Sequence, residues 1–408
     1  MSFDTFNLSD EILQALDTNN YKIATAIQEK VIPLVIEGKD IMAKAQTGSG
    51  KTASFILPLL TLWQEKPKVK KSKIKILILT PTRELTIQVS NSIHSFSEAM
   101  NIKPQVVRVI GGENIGDQII NIQKGCDIVV ATSGRLLDII IKKQIDLSSL
   151  EHFILDEADK MLDFGFAEEL NLILDQLPMQ RQNLLFSATY SEKIVTIASK
   201  ITKTPIKIEI LDEAPTVLDI KQRVIHVNKE NRSSLLQHLI RTNNWNQVLV
   251  FMSSKRASDN IANKFRKYGF LAESFHGDLI QEDRKYTLDE FKNKKIKILF
   301  ATDIASRGLH IDDISCVINF DLPRSSADYV HRIGRTGRAG KKGTAISFLG
   351  LEDMEHFDLI QKRLKIFLEK EELDGFGLVG KLIQKEKGQA PIKSKRQSKK
   401  DKLRKAKN

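Results

Sequence analysis

Three short stretches of this 408-residue chain combine residue types that act on phosphate. Ala45-Gln46-Thr47-Gly48-Ser49-Gly50-Lys51-Thr52 follows a short strand-like run, Asp40 to Lys44, and precedes an apolar helical pattern through Leu62. Gly48 and Gly50 let the backbone curl so that successive N–H groups, with a helix amino terminus behind them, point at phosphate oxygens. Lys51 adds a point charge for the β and γ phosphates, and Thr52 offers a hydroxyl to Mg²⁺. Ala45 stands where the general pattern has its first glycine, so this is a variant loop. The second stretch, Phe153-Ile154-Leu155-Asp156-Glu157-Ala158-Asp159, is an apolar run ending in three carboxylates. Acidic residues also open many helices, where they complement the helix dipole. A phosphate loop in the same domain gives these a partner: a strand-end Asp156 to hold Mg²⁺ and an adjacent Glu157 to take a proton from an attacking water. The third stretch, His331-Arg332-Ile333-Gly334-Arg335-Thr336-Gly337-Arg338, spaces three arginines by three, which predicts one helix face. An arginine reaching across a domain cleft to a γ-phosphate is worth on the order of 10³ to 10⁵ in rate.

These groups need a frame that brings strand ends together. Apolar runs at Ile76–Thr80, Ile128–Ala131, Phe153–Leu155 and Asn183–Phe186 alternate with helical patterns, and so do Gln247–Phe251, Ile298–Ala301, Cys316–Phe320 and Ala345–Phe348 in the second half. Alternation of this kind predicts parallel α/β sheets with right-handed crossovers, which place the strand ends on one edge. Pro81 stops one strand and leaves Thr82, Arg83 and Glu84 on the following loop and helix start; Thr132-Ser133-Gly134-Arg135 repeats the arrangement. Two amphipathic helices are expected before residue 40, and the pattern breaks between Lys203 and Ile220 around Pro205 and Pro215, as between domains.

The length suggests roughly two to three domains, with two the working number, and 41% hydrophobic with 28% charged residues is a globular composition. No apolar run approaches the ~18 to 20 residues of a membrane span, so no membrane association and a cytoplasmic location are expected. Cys126 and Cys316 are isolated, which argues against a disulfide or zinc site. Of the net charge of +12, residues 381–408 carry twelve Lys and Arg against Glu386 and Asp401, or +10. Such a tail reads as disordered and suited to a polyanion such as nucleic acid.

Taken in order, the motifs resemble those of the DEAD-box ATP-dependent RNA helicases of superfamily 2, named for the residues at Asp156-Glu157-Ala158-Asp159. The resemblance covers roughly residues 1–350 and is strongest to short bacterial members of RhlE-like type. It implies two tandem RecA-like parallel-sheet domains: an ATP-binding domain with a Q motif over 1–207, a linker over 208–217, a second helicase domain over 218–368 and a disordered basic tail over 369–408. ATP and Mg²⁺ are the implied cofactors, RNA the partner, and a monomer the expected state. The family reads adenine with an upstream aromatic and a glutamine, here Phe3 and Gln28, which predicts preference for ATP over GTP. The resemblance places RNA contacts at Pro81, Thr82, Arg83, Gly111, Gly112, Thr132, Gly134 and Arg135, and in the second domain at His276, Gly277, Arg284, Thr302 and Asp303. Asp159, Ser187, Thr189 and His331 would couple hydrolysis to strand separation; Arg335 and Arg338 match arginine fingers; Arg307, Gly308 and His310 lie by the nucleotide. The sequence departs from the family at Asn20, Ala24, Ser133 and His310, the last replacing an Asp that bonds the ATP ribose, which predicts weakened nucleotide binding. Other readings of the same core are an RNA chaperone without turnover and a DNA translocase. Lys51, Glu157 and Arg335 argue against the first; Gln28 with the acidic motif argues against the second.

Overall fold

A computed structural model describes residues 1–45, 49–65, 72–202, 204–210, 220–303, 314–337 and 343–380. The first half runs α1 (Asp10–Thr18), α2 (Ala26–Ile36), β1 (Ile41–Lys44), α3 (Lys51–Gln64), β2 (Ile76–Thr80), α4 (Arg83–Phe96), β3 (Val106–Val109), α5 (Ile115–Gln123), β4 (Ile128–Thr132), α6 (Ser133–Ile141), β5 (His152–Leu155), α7 (Ala158–Asp163), α8 (Ala167–Leu174), β6 (Gln182–Ser187), α9 (Glu192–Ile201) and β7 (Ile206–Glu209). The second half runs β8 (Lys221–His226), α10 (Arg232–Thr242), β9 (Val248–Met252), α11 (Lys255–Lys267), β10 (Ala272–Phe275), α12 (Gln281–Lys292), β11 (Ile298–Thr302), β12 (Cys316–Asn319), α13 (Ser326–Ile333), β13 (Thr344–Leu349), α14 (Met354–Leu364) and β14 (Lys370–Glu371).

Each half forms one parallel seven-stranded sheet, ordered β3-β4-β2-β5-β6-β1-β7 and β10-β11-β9-β12-β13-β8-β14. The central strands β2, β5 and β6 carry unbroken apolar stretches, Ile76–Leu79, Phe153–Leu155 and Leu184–Phe186, because helices cover both faces, which buries every position of β2. Parallel pairing forces each connection to cross a face and sends all strand ends in a sheet to one edge. The acidic strand β5 sits centrally, between β2 and β6, and the phosphate-loop strand β1 is the next one beyond β6.

Two domain limits move. Ile208 and Glu209 pair with Ala43 and Lys44, and Ile208 and Ile210 enter the first core, so the first sheet continues past residue 207 into what was expected to be linker. Residues 369–380 are not tail: Lys370–Glu371 pairs with β8, Glu371 holds Arg223 through Nε and Nη2, and Phe376 packs on the second core. Among the described residues no helix is long and apolar enough to cross a membrane. The rest of the expected linker, 211–217, and the basic residues 381–408 lie outside the described residues.

Candidate active site and RNA-facing edge

Gly50 begins α3 with φ +93°, a backbone suited to glycine, and a Cβ there would press on the Gln28 and Thr25 side chains. Gln28 is 1% exposed; its Oε1 accepts from Thr25 N (2.9 Å) and its Nε2 donates to Gly50 O (3.2 Å). This amide therefore braces the phosphate loop from α2. Phe3, by contrast, packs edge-on to Phe6 inside the first core, so in this conformation its ring has no face open to a base. Tyr21, 41% exposed and edge-on to Phe96, is the accessible aromatic of the amino-terminal segment. Ala45 is buried, and its N–H donates to Ser187 O, tying the loop's start to β6. Ser49 and Thr52 flank Lys51 at the loop's end; Gln46, Thr47 and Gly48 lie outside the described residues.

Lys51 is 6% exposed, and its ammonium has no hydrogen-bond partner among the described residues. Nearby, Asp156 is 2% exposed, with Oδ1 accepting from Glu157 N (2.9 Å). Burial pushes the Asp156 carboxyl up to about 6, against the pull of Lys51. A buried carboxylate penalised for its charge, beside an unpartnered buried ammonium, fits a divalent cation and a polyphosphate respectively. Among the described residues no three His, Cys, Asp or Glu cluster as metal ligands. Mg²⁺ held by one carboxylate, a hydroxyl and substrate phosphates needs no such cluster.

Glu157 adopts left-handed backbone angles (φ 51°, ψ 48°), so the chain turns sharply between β5 and α7 at the acid itself. Burial would raise its carboxyl pKa, but Lys160, then Lys51 and Arg335, hold it well below the usual range. Lys160 Nζ lies 2.7 Å from Glu157 Oε1, and both side chains are buried. Sequence reasoning passed over Lys160; its position one helical turn after Glu157 was the available signal.

Arg335 comes from the other sheet, is 4% exposed, and reaches the vicinity of Glu157. The single arginine face expected from the sequence does not form, because α13 ends at Ile333 with Gly334 as its cap. Arg332, still helical, turns into its own domain: Nε and Nη2 bind Asp303 (2.6 and 2.7 Å) and Nη1 donates to Asn319 Oδ1 and Asp321 O. Asp303, expected on RNA, is thus engaged by Arg332, while Thr302 ends β11 half-buried. Arg307, Gly308, His310 and Arg338 lie outside the described residues.

Away from the phosphate loop, Thr82 caps α4 by accepting from Leu85 N, and Pro81 is buried before it. The Arg83 guanidinium lies along Gly111 and Gly112, where a Cβ would clash with it, and Arg135 Nη1 donates to Glu113 O (2.9 Å). Thr132, Gly134 and Arg135 stand at the end of β4 and the start of α6. These first-domain positions therefore converge. In the second domain His276 Nε2 meets Asp259 (2.8 Å), beside Gly277. Arg284 does not point to solvent: Nη1 donates to His276 O, its guanidinium covers the Phe275 ring at 4.8 Å, and Nε and Nη2 grip Glu84 of α4 at 2.8 and 2.6 Å. Sequence reasoning missed this bond between the two sheets, since nothing local joins residues 200 apart. Ser187 Oγ accepts from Thr189 N, and Asp159 is buried with Oδ1 unpartnered among the described residues; His331 lies on α13.

The family model for DEAD/DEAH box helicases matches residues 25–197, and that for the helicase conserved C-terminal domain matches residues 231–340. The ATP-dependent RNA helicase CshA of Listeria monocytogenes is 40% identical over 89% of this chain and 69% of its own length. The chain belongs to the DEAD-box helicase family. A second relative within it, DbpA of Bacillus subtilis, is 40% identical over 85% of this chain and 71% of its own length. Among solved DEAD-box structures, S. cerevisiae Dbp5 bound to RNA and ADP BeF3 superposes with a TM-score of 0.81 at 29% identity, covering 91% of this chain and 96% of that one. The bracing glutamine, strand-end acids and cross-sheet arginine described above thus occupy a DEAD-box framework.

Proposed function

We propose that this chain is an ATP-dependent RNA helicase: an RNA-stimulated ATPase that binds single-stranded RNA and locally separates short duplexes. The observation that carries the reading is Arg335 of the second sheet, buried beside Glu157, with Lys51 acting on the same carboxylate. A complete phosphoryl-transfer site therefore exists only when the two sheets are apposed. Lys51 and the loop N–H groups hold the phosphates, Glu157 accepts a proton from the attacking water, and Arg335, with Arg338, stabilises charge on the transferred group. Mg²⁺, held by Asp156 and Thr52, would offset charge on the phosphate oxygens. Gln28 orients the loop and reads adenine, and the family resemblance assigns Arg307, Gly308 and His310 to nucleotide binding.

RNA lies along the same edges of both sheets, contacted through its backbone at Pro81, Thr82, Arg83, Gly111, Gly112, Thr132, Gly134, Arg135, His276, Gly277 and Thr302. Backbone recognition makes binding independent of sequence. Asp159, Ser187, Thr189 and His331 link the two events. Closure is favoured by ATP and RNA together, so each tightens the other. The basic composition of residues 381–408 supports an RhlE-like subgroup, with this segment as an auxiliary RNA contact on a cytoplasmic monomer. Measuring turnover with RNA, with DNA and with neither tests the proposal: RNA stimulation supports it, while RNA-independent turnover or equal stimulation by DNA sinks it.

A further inference from the structure

Arg256, Asn260, Lys264 and Lys267 recur along α11 at intervals of four, four and three, which puts them on one face, and all four are exposed. Among the described residues no ion pair takes up Arg256, Lys264 or Lys267. The acids nearby are committed elsewhere: Asp278 to Lys255, Glu273 to Arg266, and Asp259 to Ser274 and His276. With +10 of the net +12 in residues 381–408, residues 1–380 carry only +2, so three free cations in line are not background. The stripe spans about 16 Å at the helical rise of 1.5 Å per residue. It ends at Tyr268, an aromatic 51% exposed.

The near end of the stripe is fixed to the RNA-facing edge. Lys255, in the first turn of α11, pairs with Asp278, and Asp259, one turn on, bonds His276; these residues flank Gly277. We propose that the outward face of α11 is a second RNA track, continuous with the His276–Gly277 loop, which holds phosphates of single-stranded RNA extending beyond the cleft and stacks a base on Tyr268. Exposed cations along one helix face beside an exposed ring are the features by which single strands are held without sequence preference. The track rests on the reading of the cleft as an RNA site.

The test uses the full chain with a non-hydrolysable ATP analogue, and oligouridines of about six and about twenty nucleotides, the shorter lying within the ~4–16 nucleotide range of compact single-strand sites. Anisotropy across a potassium chloride series gives Kd and its salt slope. The triple variant Arg256→Gln, Lys264→Gln, Lys267→Gln is expected to weaken the long RNA tenfold or more at low salt and to lower the salt slope by about 2, since each lost phosphate contact removes about 0.7. Affinity for the short RNA and the turnover it stimulates stay within twofold. Lys124→Gln, Lys142→Gln, Lys143→Gln removes equal charge from an exposed part of the first domain and leaves both RNAs unaffected. Equal losses on both lengths, no loss on the long RNA, or a matching loss in the control variant overturns the track. Failure of the unmodified chain to bind the short RNA overturns instead the reading of the cleft.

Discussion

The Glu84–Arg284 pair joins α4 of the first sheet to α12 of the second, with side chains only 8% and 6% exposed. Arg284 uses two nitrogens on one carboxylate oxygen, at 2.8 and 2.6 Å, and is boxed in by the Phe275 ring and His276 O. Removing one partner of a buried pair leaves the other charge uncompensated, at a cost of about 3 to 5 kcal/mol. Because the partners sit on different sheets, Glu84→Gln places that penalty on the apposed state alone. At 1.4 kcal/mol per tenfold, the lower figure removes at least about a hundredfold from any equilibrium that requires closure. Titrating labelled RNA with and without a non-hydrolysable ATP analogue should therefore show the nucleotide's enhancement of RNA affinity falling a hundredfold or more. Nucleotide-free RNA binding and the Tm should not change. Exchanging the two residues, Glu84→Arg with Arg284→Glu, should recover part of the loss as a positive coupling in the double-mutant cycle. Should Glu84→Gln keep the full enhancement while Arg284→Gln weakens RNA binding without nucleotide, Arg284 is an RNA ligand as first expected and the latch argument fails.

Three further outcomes are expected. Glu157→Gln should lower turnover by 10² to 10⁴, the range for losing a general base, while retaining RNA binding in the presence of ATP; full activity in that variant would remove Glu157 from the role. His310→Asp should lower the Michaelis constant for ATP by supplying a ribose partner, and an unchanged constant would count against the weakened contact. Burial pushes the Cys126 thiol up to about 12 and raises that of Cys316 as well, so neither should alkylate in the folded protein near pH 8, whereas both should after denaturation; rapid native labelling would contradict their burial.

Central elements of both sheets were legible in the sequence, and their edges were not. Ile76–Thr80 and Val248–Met252 lie inside, covered on both faces, and read as unbroken apolar runs. Val106–Val109, Ile206–Glu209 and Ala272–Phe275 form sheet edges and carry Arg108, Lys207 and Glu273 among their apolar positions, which blurs any run. Site residues divide in the same way. The phosphate loop and Asp156–Glu157 are contiguous and depend on one strand-to-helix turn, so local chemistry announces them. Partners such as Glu84 for Arg284, or Asp303 for Arg332, depend on where a crossover delivers a helix, and spacing alone carries no trace of that. The arginine run misled for a local reason: Gly334 ends α13 between Arg332 and Arg335, sending one inward to Asp303 and the other across the cleft.

Charge offers a physical account of how nucleotide governs closure. Lys51 and Lys160 stand buried around Asp156 and Glu157, and apposition of the second sheet adds Arg335 to the same enclosed space. Lys160 is answered by Glu157, but the Lys51 ammonium has no hydrogen-bond partner among the described residues. Three cations, Lys51, Lys160 and Arg335, then share only the two carboxylates of Asp156 and Glu157, and that excess of positive charge is unfavourable in a low-dielectric interior. A triphosphate in the loop removes that penalty for Lys51 and gives Arg335 a second anion, so ATP stabilises the closed arrangement most where the arginine arrives. Hydrolysis and departure of the γ-phosphate take the added charge away, and the enclosed cations then favour separation of the sheets. Reopening, on this account, needs no dedicated spring: the groups that accelerate the chemistry also destabilise the closed state once its anion has left.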